Sequence, residues 1–222
     1  MKKRVIVAAL LAATVPMMAR AQGADPDKKV EGGVSAKGWV GRTDKSAQPI
    51  TGAKFVDMAG GFHVTSGPAA IYWNPANMAK GNFAVKATFT QTKAPTHPEA
   101  YGLFLGGTKL ADDGQNYLYC IVRGDGKAMV KHRIGSDVHT LMDWTENAAV
   151  KKQDDAGKAT NEVSLWASAD KVGCSVNGTE VFSFPRASAV GEGKLESVDG
   201  LVGIRVNHNL DVHISGFGMA KM

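Results

Sequence analysis

Cysteine is scarce in this chain: Cys120 and Cys174 are the only two among 222 residues. That excludes a disulfide-dense miniprotein. Without a C-x-x-C pair it also argues against zinc or thioredoxin-type chemistry. Both cysteines sit inside strand-like runs. They can be a disulfide, or two buried thiols packing as small apolar side chains. The thiols are the plainer reading, because sequence does not show that the two Cβ atoms meet. Aromatics make up only 7% of the chain, against 26 glycines and 44% hydrophobic residues. This excludes collagen and coiled coils and suits a β-rich globular chain with many turns. Long apolar runs are also missing. Val5 to Met18 is the longest, and it falls short of the ~20 residues needed to span a bilayer.

That one run has a particular setting. Lys2, Lys3 and Arg4 precede it and Ala19-Arg20-Ala21 follows it, with no acidic residue in the first 20 positions. A basic start, a short apolar middle and an A-x-A cut define a secretory signal peptide over residues 1–21, with cleavage before Gln22. The formal net charge of +5 is therefore misleading. Four of the 26 basic residues leave with the signal, so 22 remain against 21 acidic ones. A global electrostatic argument for nucleic acid fails. No cysteine sits at the cut, so a lipid anchor is not expected, nor is membrane insertion. The expected location is periplasmic or secreted.

Residues 22–37 are rich in Gly, Asp, Lys and Ser without a period, and read as a flexible leader. From residue 38 to 222, short alternating runs recur between turn residues and predict one domain. About 13 strands are expected between Lys54 and Phe217, with a long polar loop from Thr145 to Thr160. Several hairpins can be read in register. A three-residue turn at Gly124-Asp125-Gly126 puts Leu118, Cys120, Val122, Ala128 and Val130 on one face. It leaves Tyr117, Tyr119, Arg123, Lys127, Lys131 and Arg133 on the other. A turn at Ala169-Asp170 pairs Leu165 with Cys174 and Trp166 with Gly173. A type I′ turn at Asn177-Gly178 then places Cys174 opposite Val181 and Gly173 opposite Phe182. A last hairpin around Asn207-His208-Asn209 gathers Val202, Ile204, Val206, Leu210, Val212 and Ile214. It sets Arg205 against Asp211 and His213 against Gly203. Many antiparallel strands with one apolar face each require two sheets packed face to face. The expected class is all-β, a two-sheet antiparallel jelly-roll sandwich, with a closed barrel second.

Several segments are similar to secreted bacterial domains of the concanavalin A-like sandwich class. They are Ser66-Gly67-Pro68-Ala69, Tyr72-Trp73-Asn74-Pro75, the run from His97 to Gly107, Tyr117 to Lys127, Val176-Asn177-Gly178 and Asp199 to Ile204. The resemblance spans Trp39 to the C-terminus. Within that class the chain resembles 3-keto-disaccharide hydrolase-like domains, with laminin-G and family-16 glycosidase sandwiches further off. The resemblance implies a sandwich that acts on or binds sugar, and the fold by itself does not choose between them.

Catalytic spacing is missing. Retaining glycosidases of this class place carboxylates on one strand face about 5–5.5 Å apart, and no E-x-D-x-E run occurs. There is no G-x-S-x-G elbow, no Walker loop, no H-E-x-x-H pair and no cofactor motif. Asp112, Asp113 and Asn116 offer oxygens for Ca²⁺, but a solvated turn is the simpler reading, and no metal is expected. His208 and His213 read as turn and surface residues. Sugar binding needs exposed rings and a few fixed polar groups. The candidates are Trp73, Glu99, Tyr101, Tyr119, Arg123, Lys131 and Trp166. The expected partner is an oligosaccharide or envelope polysaccharide. A basic, aromatic face could instead stack nucleic-acid bases, but export and the near-neutral mature charge argue against it. The sequence thus favours a carbohydrate- or envelope-binding module without a catalytic motif. A glycoside-acting hydrolase or lyase is the alternative, and a structural scaffold the third reading.

Overall fold

The computed structural model describes residues 25–222. The expected signal peptide, 1–21, lies outside the described residues. The described chain contains β1 (Gly33–Val34), β2 (Val40–Thr43), β3 (Ala53–Met58), β4 (Gly61–Ser66), β5 (Ala70–Ala79), β6 (Phe83–Gln91), β7 (Ala100–Thr108) and β8 (Asn116–Arg123). It continues with β9 (Lys127–Ile134), β10 (Asp137–Glu146), β11 (Ala159–Ala167), β12 (Lys171–Val176), β13 (Thr179–Pro185), β14 (Gly200–Val206) and β15 (Asp211–Lys221). Two sheets form. One has eight strands in the order β1-β3-β4-β15-β6-β11-β12-β13, and the other seven in the order β10-β9-β8-β7-β14-β5-β2. The ladders are antiparallel except for the short β1–β3 pairing. This is the expected all-β sandwich. The loop between β10 and β11 falls within the polar stretch expected from Thr145 to Thr160.

Alternation drives the assembly. In β6 the side chains of Phe83, Val85, Ala87, Phe89 and Gln91 are buried, and the residues between them are not. β11 repeats the pattern with Ala159, Asn161, Val163, Leu165 and Ala167. Every second residue of a strand meets the same face, so these sets line a common core with Leu103, Leu105, Leu118, Val122 and Ile204 of the opposite sheet. The turn at Gly124-Asp125-Gly126 has the expected register, with Arg123 opposite Lys127 and Tyr119 opposite Lys131. Leu165 pairs with Cys174 and Trp166 with Gly173, also as expected.

Cys120 in β8 and Cys174 in β12 form a disulfide, with Cα atoms 6.4 Å apart. This corrects the buried-thiol reading. The two strands belong to different sheets, and sequence does not show that their core faces meet at these two positions. The bridge ties the two layers together through the core.

Three further expectations are corrected. Asn177 and Gly178 have φ of 50° and 82°, as a type I′ turn requires. A bulge at Val181, opposite the step from Cys174 to Ser175, then shifts the pairing, so Cys174 lies opposite Phe182 and Gly173 opposite Ser183. Phe182 and Phe184 therefore pack against the core, not beside Trp166. Second, β14 and β15 are not a hairpin. β14 pairs with β5 and β7, while β15 pairs with β4 and β6 in the other sheet. The apolar set Val202, Ile204, Val206, Leu210, Val212 and Ile214 is buried all the same, because two strands facing across a core point the same residues inward as two neighbours do. Arg205 does not face Asp211, and His213 lies opposite His63 and Thr90. Third, the described part of the expected flexible leader is docked. Gly33 and Val34 pair with Lys54 and Phe55, and the Lys28 amide donates to Asn209 Oδ1 at 2.7 Å.

Two stability measurements check this architecture. The disulfide closes a loop with a sequence separation of 54, for which chain entropy gives about 4 kcal/mol. The double variant Cys120→Ala/Cys174→Ala is expected to unfold at a clearly lower urea midpoint, and an unchanged midpoint would deny the bridge a role in stability. Gly178→Val places a β-branched residue at a φ of 82°. It is expected to cost about 1–2 kcal/mol and lower Tm by about 2–8 °C.

Candidate functional site

The seven-stranded sheet buries both of its faces. The face away from the inter-sheet core carries its own apolar cluster of Ile71, Trp73, Phe104, Tyr117, Tyr119, Ile121 and Met129. Register aligns these side chains. Trp73, Gly203, Phe104, Tyr119 and Lys131 lie in one row across five strands. Ile71, Arg205, Gly102, Ile121 and Met129 lie in the next. A side chain at Gly203 would collide with the Phe104 ring, so glycine here lets the ring lie flat across its neighbour.

Arg205 rises from the middle of this face into an acidic partner supplied from far along the chain. Its Nη1 and Nη2 both donate to Asp44, the latter at 2.7 Å. Asp44 follows β2 directly. Arg133 Nη2 donates to the same carboxylate at 3.0 Å. The Arg205 guanidinium also lies over the Tyr119 ring, 5.4 Å from its centroid. Beside them Arg42 donates to the Asp112 carbonyl and, at 2.6 Å, to Asp113 Oδ1. Burial alone would push the Asp44 carboxyl up. The Arg205 charge and hydrogen bond, with Arg133 and Arg42, outweigh it and hold the pKa below the ordinary 3.8. Burial pushes the Tyr117 phenol up to about 12, so it stays protonated.

This cluster opens into a cleft of about 430 Å³, lined by Arg42, Asp44, Lys45, Asp113, Gln115 and Ser136. A second opening of about 360 Å³ begins on the far side of Asp44 and Lys45, where Asp25, Asp27, Gln48 and His208 line it. His208 links two carboxylates there. Its Nε2 lies 2.7 Å from Glu99 Oε1, and its Nδ1 3.3 Å from Asp27 Oδ1. Burial raises the Glu99 pKa against the pull of His208 and Asn207. Glu99 is thus a buried carboxyl held against a histidine.

The candidates from sequence fall into different places. Trp73 and Tyr119 are on the outer face but buried, at 5% and 4% exposure, packed in the apolar cluster of that face, with the Arg205 guanidinium over Tyr119. Trp73 reaches the rim of a neighbouring opening that it shares with Arg42 and Asp113. Arg123 stacks on Trp144 at 4.2 Å and pairs with Asp125 at 2.7 Å, so its donors are committed. Lys131 is half-buried beside Tyr119. Tyr101 is a correction. It lies between the sheets, stacked on Phe89 with centroids 5.3 Å apart, and its hydroxyl accepts from Asn161. Trp166 also stands apart, on the outer face of the other sheet, where it covers Gly173 and donates to Ser175 Oγ at 3.1 Å. Glu99 does meet a polar constellation. Arg42 and Asp44 of the cleft, and Arg205 that holds Asp44, carry no motif in the sequence. A lone arginine in the apolar run of β14 was the one available signal.

Among the residues considered for calcium, the Asp112 backbone carbonyl and Asp113 Oδ1 accept from Arg42, and Asn116 Oδ1 lies 2.7 Å from His132 Nε2. Among the described residues no group of three or more His, Cys, Asp or Glu side chains is arranged to hold a metal. No helix among them is long and apolar enough to cross a membrane.

Comparison with known proteins finds similarity in fold. The sequence matches no protein-family profile and no curated protein. Among solved structures, the carbohydrate-binding module CBM66 of Bacillus subtilis superposes with a TM-score of 0.60 at 12% identity, covering 84% of this chain and 98% of that one. A Bacillus subtilis protein of unknown function with a galectin-like fold gives 0.58 at 13%, covering 84% and 90%. A candidate glycosyl hydrolase of Parabacteroides distasonis gives 0.52 at 12%, covering 82% and 99%. The chain therefore has the lectin-type sandwich architecture these proteins share.

The ion cluster makes a sharp stability prediction. Asp44→Ala leaves two buried guanidiniums without their carboxylate and is expected to cost about 3–5 kcal/mol in urea unfolding. The Asp44 pKa is lowered in the folded state, so its stabilisation is present above about pH 4. It is lost as pH falls through the lower folded value. Asp44→Asn is expected to flatten that acid limb, and an unaltered acid limb would remove Asp44 as its source.

Proposed function

We propose that this chain is a carbohydrate-binding β-sandwich module, exported by its N-terminal signal, and that sugar binds in the cleft around Asp44. The observation that carries this reading is a set of fixed polar groups at the cleft wall and behind it. Arg42 and Asp44 line the cleft, Arg42 held by Asp113 and Asp44 held by Arg133 and Arg205, which rise from a sheet face otherwise made of aromatic and aliphatic side chains. A preorganised polar set on an apolar wall takes ring hydroxyls without first paying to order itself. The sandwich architecture shared with a carbohydrate-binding module supports it. A disulfide across the core is in keeping with an oxidising compartment.

One observation favours a second reading, a hydrolase acting on a modified glycoside of the 3-keto type that the sequence resemblance implied. Glu99, with its raised pKa, sits against His208, which lines the second opening on the far side of Asp44 with Asp27. A carboxyl whose pKa is raised by burial holds its proton more readily and can donate it to a leaving oxygen. Release of free sugar from such glycosides, abolished in Glu99→Gln, would put this reading first.

The binding reading is tested by calorimetry against a panel of neutral and acidic oligosaccharides. Micromolar to millimolar affinity, roughly 4–8 kcal/mol, is expected. Arg42→Ala removes a charged hydrogen-bond donor at about 1–3 kcal/mol and is expected to bring binding near or below detection. A sugar that binds this variant as tightly as the parent places the site elsewhere. Failure of every sugar to bind leaves the scaffold reading in front.

A further inference from the structure

We propose that the Asp44 cleft is a subsite for an acidic sugar, and that it takes the carboxylate of a uronic-acid residue. The inference rests on the carbohydrate-binding reading and adds the ligand's charge to it.

The first ground is an imbalance of buried charge. The side chains of Arg205, Arg133 and Arg42 are only 5%, 9% and 10% exposed. Arg205 and Arg133 share one carboxylate, that of Asp44. Arg42 relies on Asp113, whose side chain is 81% exposed and largely in solvent. Lys45 adds a further positive charge at the cleft wall. Three nearly buried guanidiniums and Lys45 thus face two carboxylates, Asp44 and the largely solvated Asp113. A buried charge is costly unless it is paired, and the surplus here is positive. A further carboxylate entering the cleft would offset it.

The second ground is hydrogen bonding. Arg42, on the cleft wall, has a buried Nε that makes no hydrogen bond within the protein. Arg133 Nε, Arg205 Nε and Tyr117 Oη, which do not line the cleft, are unpartnered too. A carboxylate accepts from several donors at once and forms its strongest bonds with guanidinium. Gln115, also on the cleft wall, leaves Oε1 unpartnered as well. The donors of Arg42 and Lys45 beside this one acceptor suit a ligand with an acid group and a neighbouring hydroxyl, the arrangement on a uronic-acid ring. A simple inorganic anion would use the donors and leave Gln115 unanswered.

The test is calorimetry of the full exported protein with oligomers of galacturonate, glucuronate and mannuronate, with their methyl esters, with neutral oligosaccharides and with acetate. At least one acidic oligomer is expected to bind ten times or more tighter than its methyl ester. Its affinity is expected to fall several-fold between 0.05 and 0.5 M salt, over which the Debye length shrinks from about 14 to about 4 Å. Arg42→Gln and Lys45→Ala, both at the cleft wall, are each expected to weaken the acidic oligomer about tenfold more than any neutral one, with Tm held within a few degrees. If a neutral sugar or the methyl ester binds as well as the acid, in an Arg42-dependent way, this inference is overturned and the carbohydrate-binding reading stands. If acetate alone binds as tightly, the site takes a carboxylate and not a sugar. If no oligosaccharide binds, both readings fall.

Discussion

A single carboxylate, that of Asp44, lies between two guanidiniums that the fold has taken out of water. The outer face of the seven-stranded sheet depends on it. Arg205 and Arg133 stand on strands of that sheet, and Asp44 belongs to the segment that leaves β2 at its edge. The ion cluster therefore ties this segment to the face that carries Trp73, Tyr117 and Tyr119. Without Asp44 the two arginines would be buried without that partner. Replacing such a cluster by apolar side chains of the same volume often stabilises a fold. Its presence here is better explained by what the charges can hold than by the stability they contribute.

The same constraint accounts for the fate of the stacking residues expected from sequence. Alternation assigns Tyr119, Arg123 and Lys131 to the face away from the core, and the register agrees. It does not say that the face is covered. Tyr119 is covered because Arg205, 86 positions later, folds over it toward a carboxylate 161 positions before that arginine. Arg123 is taken up by Trp144 across β9 and by Asp125 in its own turn. What remains open is the border of this patch, where Arg42, Lys45 and Gln115 line the cleft.

Local chemistry was legible, and long-range assembly was not. Gly124-Asp125-Gly126 and Asn177-Gly178 fix their turns through backbone angles that few other residues tolerate. The apolar periods of β6 and β11 set which residues face inward. The bulge at Val181 has no signature of this kind, and it moved Phe182 from one face to the other. Sheet membership was hidden for a more basic reason. β14 and β15 bury the same residues whether they are neighbours or lie across the core from each other, so the pattern alone cannot separate the two. The disulfide was undecided for the same reason, since it depends on which strands of the two sheets lie over one another. The site was least legible, because Arg42, Asp44, Gln115, Arg133 and Arg205 come from separate segments and form no motif.

The crossover from β14 to β15 is where these threads meet. Had the two strands been a hairpin, Arg205 would have spent its charge on Asp211, a neighbour in the ladder. Because the chain changes sheets after Val206, Arg205 stays on the seven-stranded sheet and needs another counter-ion, which the segment after β2 supplies. Asp211 goes to the other sheet, where Thr92, His63 and Lys93 surround it. The three residues that begin the crossover become anchors at the end of the sandwich. Asn207 lies within reach of Arg205, His208 joins Glu99 to Asp27, and Asn209 holds the chain near residues 25 to 28 through Asp25, Pro26 and Lys28. One change of sheet thus places a buried guanidinium, a histidine between carboxylates and the docked N-terminal segment around one groove. A hairpin in the same sequence would have left each of them on a separate surface.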